Sequence, residues 1–347
     1  MPIELGLDTF GDVTRAPDGT LLALDQVLRN VVEEAVLADS LGVHFIGLGE
    51  HHRDDFAISV PEIVLAAIAG RTRQIRLGTA VTVLSTDDPV RLFQRFSTLD
   101  AISNGRAEVI LGRGSFTESY PLFGYDLNDY AALFEEKLDL FARLTRERQV
   151  TWEGRLRAPL TKARVMPPLS PRGLPVWIGV GGSPESVVRA VRHNLPMMLA
   201  IIGGDPRRFL PYVDLYKRAF AQAGRPVLPL GVHSPGHIAD TDQRARDEAW
   251  DGYRTLRDRI GRERGWGPFS RAEFEHEVDH GSMYVGSPDT VARKIAATMR
   301  DLGLTRFDMK YSQGTLPHEA LMRSVTLYGS KVIPMVRQLL GKALAEV

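Results

Sequence analysis

The chain has 347 residues, 25% of them charged and 44% hydrophobic, which is ordinary globular composition. Lys+Arg and Asp+Glu each number 43, so the formal net charge is zero, and no basic stripe or polybasic anchor offers itself to nucleic acid or membrane. Cysteine is absent, which excludes disulfides, thiol nucleophiles, Cys-ligated zinc and iron–sulfur clusters, and fits a reducing compartment.

The first apolar run, Ile3–Leu7, reads as a strand. Leu28, Val31, Val32, Ala35 and Ala38 then repeat at helical spacing until Gly42, and Val43–Leu48 follows as a second strand. A third run is Ile75–Leu84. Phe93–Ile102 reads as a helix closing on Asn104-Gly105, ahead of the strand Ala107–Leu111. A long stretch follows, with an amphipathic segment at Tyr130–Leu144 and a Pro-rich connection at Met166–Gly173, before the strand Pro175–Val180. Val187–Arg192 ends at Asn194 and gives way to Pro196–Ile201. A less regular run, Leu228–Ile238, precedes a charged insertion at roughly Thr241–Tyr284. Val291, Ile295, Met299 and Leu302 lead to Gly303 and the last strand, Arg306–Tyr311.

Gly and Asn at these junctions suit the left-handed cap that hands a helix over to a strand. The strands are near-continuous apolar runs, as expected where both faces of a sheet are covered. Eight of them alternating with helices imply an α/β fold, either a (β/α)8 TIM barrel or a large doubly wound sheet. No G-x-G-x-x-G follows the first strand, so the barrel is favoured, with insertions after strands 4 and 7 and a single domain over residues 1–347. Insertions of that length commonly build a lid or a subunit contact. The first residues lack a basic and then apolar leader pattern, and the longest apolar stretch, Leu195–Ile202, is too short to span a bilayer. A cytoplasmic protein is expected.

Five motifs could carry chemistry. Glu50-His51-His52 follows the second strand, at the barrel end where ligands collect. Neighbouring side chains diverge there, so at most one histidine faces the mouth, as an acid–base group or hydrogen-bond donor. Gly112-Arg113-Gly114 after the fourth strand offers a planar fork to phosphate or carboxylate, unless Arg113 simply pairs with Glu118. Gly181-Gly182-Ser183-Pro184 is a helix start that could seat an anion. Gly286-Ser287-Pro288 has the same form, and both cannot be a phosphate site. His276-Glu277-Val278-Asp279-His280 matches the zinc-protease pattern, but its crowding acids and Gly281 argue against it, and no metal is expected. Thr79-Ala80-Val81 is small enough for a flat ring to lie against it; tight strand packing explains it equally well.

Taken in order, these segments resemble the bacterial luciferase-like flavin-dependent monooxygenases. The match runs through Gly49-Glu50-His51-His52, Leu77-Gly78-Thr79-Ala80-Val81, Asp88-Pro89-Val90-Arg91, Asn104-Gly105-Arg106, Gly112-Arg113-Gly114, Phe123-Gly124, Leu195-Pro196-Met197 and Gly286-Ser287-Pro288. The resemblance implies a (β/α)8 barrel that takes reduced FMN from a separate flavin reductase. It also implies that the flavin reacts with O2, through a C4a-peroxide, to oxidise a small organic substrate. By the same resemblance His51 is the catalytic histidine, with Glu50 beside it, and Arg113 holds the flavin phosphate. The Ala80–Val81 bond, with Thr79 before it, takes the place of a non-prolyl cis peptide that supports the ring. Gly181, Gly182 and Ser183 take the place of the phosphate turn. Bacterial luciferase carries a cysteine where this chain has Gly112. A homodimer is the family's default. Two alternatives stay open: a deazaflavin (F420) enzyme that passes hydride, and a non-catalytic flavin-binding protein.

Overall fold

The computed structural model describes residues 3–16 and 18–345; residues 1, 2, 17, 346 and 347 of the expected domain lie outside the described residues. The barrel strands are β1 Glu4–Thr9, β2 Phe45–Leu48, β3 in two segments (Arg76–Thr79 and Thr82–Val83), β4 Val109–Gly112, β5 Val176–Val180, β6 Met197–Ala200, β7 Leu230–Ile238 and β8 Arg306–Lys310. All pair in parallel in chain order, and β8 returns to β1. Closure falls at β3. Its lower segment pairs with β2, its upper segment pairs with β4, and Leu77 bridges to Ala107. The fold is the expected (β/α)8 barrel.

The helices are α1 Leu24–Ser40, α2 Pro61–Ala69, α3 Pro89–Ile102, α4 Tyr130–Leu144, α5 Pro184–His193, α6 Leu210–Gln222, α7 Asp242–Arg264, α8 Arg271–His280, α9 Pro288–Leu302, α10 His318–Leu327 and α11 Ile333–Ala345. Proline opens α2, α3, α5 and α9, where its missing N–H costs nothing. Asn194 and Gly303 close α5 and α9 at φ 54° and 65°, the left-handed caps the sequence implies. No helix among the described residues is long and apolar enough to cross a membrane.

Both insertions sit where expected. After β4 come α4 and an antiparallel hairpin, Val150–Trp152 with Leu160–Ala163, which the sequence does not announce because its second strand is mostly exposed. After β7 come α7, α8 and a short edge segment, Tyr284–Gly286, that extends the upper half of β7. Phe269, Phe274, Val278 and Met283, with Trp250 and Tyr253, give this second insertion a small core of its own.

The barrel interior is stacked in layers, and one sequence expectation needs amending there. β8 is not a continuous apolar run. Arg306, Asp308 and Lys310 alternate with Phe307 and Met309, which join the outer apolar core. At the lower end Arg306 is completely buried, bonded to Asp308 (Nε to Oδ2, 2.9 Å) and to Glu108, with its guanidinium 3.9 Å from the Phe45 ring centre. Phe45, Ile110, Trp177 and Met198 form the apolar middle layer, with Val81 packed against it. Gly78 is needed here, because a Cβ would lie 2.7 Å from the Phe45 ring. The upper layer is built from small residues: Gly47, Ala80, Gly112, Gly179 and, by alternation from Met198, Ala200. Large side chains therefore plug the lower half and leave a shallow floor under the mouth.

Candidate active site at the carboxyl end of the barrel

β2 ends at Leu48, and the chain turns outward through Gly49, whose Cβ position is filled by the Phe10 ring. That contact sets the next three residues. The His51 ring lies 4.5 Å from both Phe10 and Phe56 and 5.2 Å from Phe116, centre to centre. His52 turns the other way, to Glu50 (Nε2 to Oε1, 3.0 Å) and against Phe123. One histidine thus faces the mouth, as strand geometry requires. Burial, followed by the nearby Lys310 and Arg53 cations, pushes the His51 imidazolium down to about 3, so the ring is neutral at ordinary pH. Its nitrogens bond to no protein group among the described residues.

Glu50 is engaged rather than free. Its Oε2 accepts the backbone N–H of Val83 at 2.8 Å, and its own N–H reaches the carbonyl of Val81 at 3.4 Å. Glu50 therefore ties the end of β2 to the break in β3. That break is Ala80–Val81, whose peptide bond is cis. Thr79, just before it, is fully buried, and its hydroxyl meets the carbonyl of Ile110 and the hydroxyl of Thr82. Only Ala80 and Val81 of this trio reach the surface of the mouth. A Cβ on Gly112 would collide with Val81, and one on Gly179 would stand 3.1 Å from it. Any side chain at Gly112 requires Val81 to move.

Arg113 follows at the head of β4. Its guanidinium lies 5.0 Å from the Tyr130 ring centre and has no acidic partner among the described residues. Glu118, the obvious local candidate, belongs instead to Arg53 (2.5 Å). Burial raises the Tyr130 phenol, while Arg113 and Arg189 both oppose that, so two cations converge on one ring. Arg189 belongs to α5, the helix that begins after Gly181, Gly182 and Ser183.

At that helix start Ser183 is the N-cap, its hydroxyl 2.8 Å from that of Ser186, and Arg189 donates to Ser186 at 3.1 Å. Gly182 sits at φ 105°, and a Cβ on Gly181 would meet nothing within 4 Å. The rival start, Gly286-Ser287-Pro288, already holds an anion. Asp242 accepts the Ser287 N–H at 2.6 Å and the Thr290 hydroxyl at 3.0 Å. The α5 start holds no such internal anion among the described residues, and Arg113 follows β4, the strand that pairs with β5 ahead of it. Together with the small-residue floor, these groups fit a flat ring ending in a phosphate.

The β7 insertion crosses the loops after β2 and β4. Arg53 bonds to Asp55 (3.0 Å), Glu118 (2.5 Å) and, from α7, Glu263 (2.6 Å), while its guanidinium covers Phe116 at 4.7 Å. Arg264 reaches the carbonyl of Ser115, and Arg259 pairs with Asp54 and Asp55. The zinc-protease look-alike lies on α8, with Glu277 accepting the Gly204 N–H at 2.9 Å and Asp279 held by Arg246. The described residues contain no group of three or more potential metal ligands.

The sequence reading missed the aromatic cage around His51, the Arg53 junction, and a polar network beneath the mouth. Buried Lys310 bonds to Asp12 (2.9 Å), and Ser312 meets Thr9 (2.8 Å). Asp8 holds His233 at 2.7 Å. Alternating polar residues in β1 and β8 were the available signal.

The family profile described as luciferase-like monooxygenase matches residues 9–306. The protein y4vJ of Sinorhizobium fredii is 26% identical over 91% of this chain and 94% of its own. The alkanal monooxygenase alpha chain of Photorhabdus luminescens is 28% identical over 62% of this chain, and the match spans 59% of that relative. Among solved structures, the monooxygenase RslO1 of Streptomyces bottropensis superposes with a TM-score of 0.83 (24% identity, 96% of this chain, 99% of that one). The oxygenating constituent of 3,6-diketocamphane monooxygenase of Pseudomonas putida, solved with FMN, gives 0.77 (21%, 96% and 99%). An F420-dependent secondary alcohol dehydrogenase gives 0.75 (15%, 97% and 100%). At these identities the superpositions establish the fold.

Proposed function

Since this chain belongs to the luciferase-like monooxygenase family, we propose that it is a flavin-dependent monooxygenase that takes reduced FMN from a separate flavin reductase and uses O2 to oxidise a small organic substrate. When bound, the reduced flavin supplies the electrons and the oxygen activation. The rest of the reading concerns this chain's own residues. Arg113, the amides of Gly181 and Gly182, and the Ser183 hydroxyl hold the phosphate; Ala80 and Val81 back the ring, on a bend that Thr79 and Glu50 brace. His51, kept neutral, donates or accepts a hydrogen bond without placing a charge beside the ring. The insertion tied down by Arg53 shields the mouth from water. We take the protein to be a cytoplasmic homodimer formed from single-domain chains.

The observation that supports the reading is Arg113, a guanidinium with no carboxylate partner among the described residues, at the end of the strand that pairs with β5, which leads into the one of two matching helix starts that holds no internal anion. The test is paired titration with FMN and F420, followed by turnover with reduced FMN. Preference for FMN and O2 consumption are expected, and His51→Ala should bind FMN while losing turnover. Tighter binding of F420, or binding of neither, would overturn the reading.

A further inference from the structure

A second histidine lies at the mouth, on the least regular strand. His233 of β7 stands in register with Asp308 of β8 and Ala200 of β6, and its Nδ1 is 2.7 Å from Oδ2 of Asp8 on β1. Asp8 is fully buried, and its other oxygen, Oδ1, has no hydrogen-bond partner. A carboxylate only accepts, so Nδ1 carries the hydrogen, and in the neutral ring Nε2 is then the nitrogen with the lone pair. Nε2 bonds to no protein group among the described residues, and the side chain keeps 11% of its surface. Phe10 stacks on the ring at 6.0 Å and 12°, which fixes its plane.

The two histidines therefore differ in kind. His51 sits among rings and cations, with no bonded carboxylate, and resists a proton. His233 has a buried carboxylate behind it, the arrangement that stabilises an imidazolium once formed. Other charges facing the pair are already answered: Asp308 by Arg306, and Lys310 by Asp12. Across Phe10 lies His51, packed among Phe56 and Phe116, so the pair borders an aromatic wall of the kind a flat aromatic substrate can lie against.

We propose that His233, oriented by Asp8, is a catalytic base that takes a hydroxyl proton from the substrate, which is accordingly a phenol or an enol. The inference rests on the mouth being the substrate site, as in the function proposed above. In the step, the substrate O–H bond breaks and its electron pair stays on oxygen. The proton forms a bond to Nε2, and Asp8 holds the resulting cation in place. An oxyanion enriches the attached ring in electrons and eases its oxidation. Asp8 acts through His233 and is a positioning residue.

The probe is 4-nitrophenol, whose ionised form alone is strongly coloured, so the ionised fraction of bound probe is read directly and needs no turnover. With wild-type protein, with and without oxidised FMN, the bound probe is expected to ionise at least tenfold more readily than free probe. His233→Gln should abolish that shift while keeping far-UV dichroism and FMN affinity within threefold of wild type, and Asp8→Asn should reduce it. Equal ionisation in wild type and His233→Gln, or no binding of the probe to wild type, would overturn the assignment. Should the variants fail to fold, nitrogen-15 spectra of wild type decide: a hydrogen on Nδ1 supports the base, and one on Nε2 contradicts it. FMN affinity is read separately by fluorescence, so a failed cofactor reading is distinguishable from a failed base.

Discussion

The two ends of this barrel are built from the same alternation and put it to opposite uses. At the amino end, inward positions carry charges that answer one another: Arg306 with Glu108 and Asp308, and Arg76 with Glu4. Burial and the neighbouring carboxylates Asp8 and Glu108 raise Asp308 against the pull of Arg306, so this cluster is costly and tightly coupled. At the carboxyl end, inward positions shrink to glycine and alanine, and the nearby His51 ring, Arg113 guanidinium and Nε2 of His233 have no hydrogen-bond partner among the described residues. Paired charges lock a shape; polar groups left open to the mouth suit a ligand. On the proposed function, the amino end serves stability and the carboxyl end chemistry.

Breaking the amino end should have the largest effect on folding. Arg306→Met leaves buried Asp308 without its partner and Glu108 with only Arg76 at 3.7 Å, and is expected to cost about 3–5 kcal/mol in urea unfolding, with FMN affinity per folded molecule unchanged. Loss of flavin affinity without loss of stability would reverse the roles of the two ends. At the carboxyl end the pattern should invert. Arg113→Ala should weaken FMN binding by about 1.5–3 kcal/mol, the range for hydrogen bonds to charged groups, while leaving the unfolding midpoint alone. Fluorescence titration reads the first quantity and thermal melting the second.

A third prediction sharpens the comparison through pH. The folded-state value of His51 is depressed to about 3, from the ordinary 6.5. The unfolded chain therefore binds this proton more readily, and the resulting penalty grows as pH falls from about 6.5 toward 3. His51→Gln should remove about 1–2 kcal/mol of that acid destabilisation at pH 5 and change nothing at pH 8. Denaturant titrations at the two pH values check it; identical acid sensitivity in both proteins would mean His51 is not desolvated. The smallest effect belongs to the lid. Glu263→Gln removes a half-exposed partner of Arg53, so stability should fall by less than about 1 kcal/mol. Limited proteolysis within α7 should nonetheless accelerate, and an unchanged cleavage rate would argue that the insertion is not a moving cover.

Much of this was legible in the chain. Four strands were announced by the Gly or Asn cap of the helix before them, and Asn194 and Gly303 announced their left-handed caps through residue type alone. Local chemistry of that kind survives in a single sequence. The Glu50-His51-His52 cluster was visible for the same reason, since strand alternation already required the two rings to diverge. What stayed hidden was set by closure. Asp8 and His233 are far apart in sequence and meet only because β1, β8 and β7 are adjacent staves, and Arg53 finds Glu263 only after the β7 insertion folds back. Between the two Gly-Ser-Pro starts the family resemblance already favoured Gly181-Gly182-Ser183; the physical reason, Asp242 filling the other start, appears only in the fold. Polar letters at alternate positions in Arg306–Lys310 were a readable sign of an ionic barrel interior, masked by the apolar residues between them.

The account stands on a flavin whose phosphate is gripped by Arg113 and the start of α5. Anaerobic calorimetric titration of the wild-type protein with reduced FMN, and separately with reduced riboflavin, measures that grip without any substrate. One site per chain is predicted, with affinity at least tenfold weaker when the phosphate is missing. Equal affinity for the two flavins, or no saturable binding of either, would contradict it.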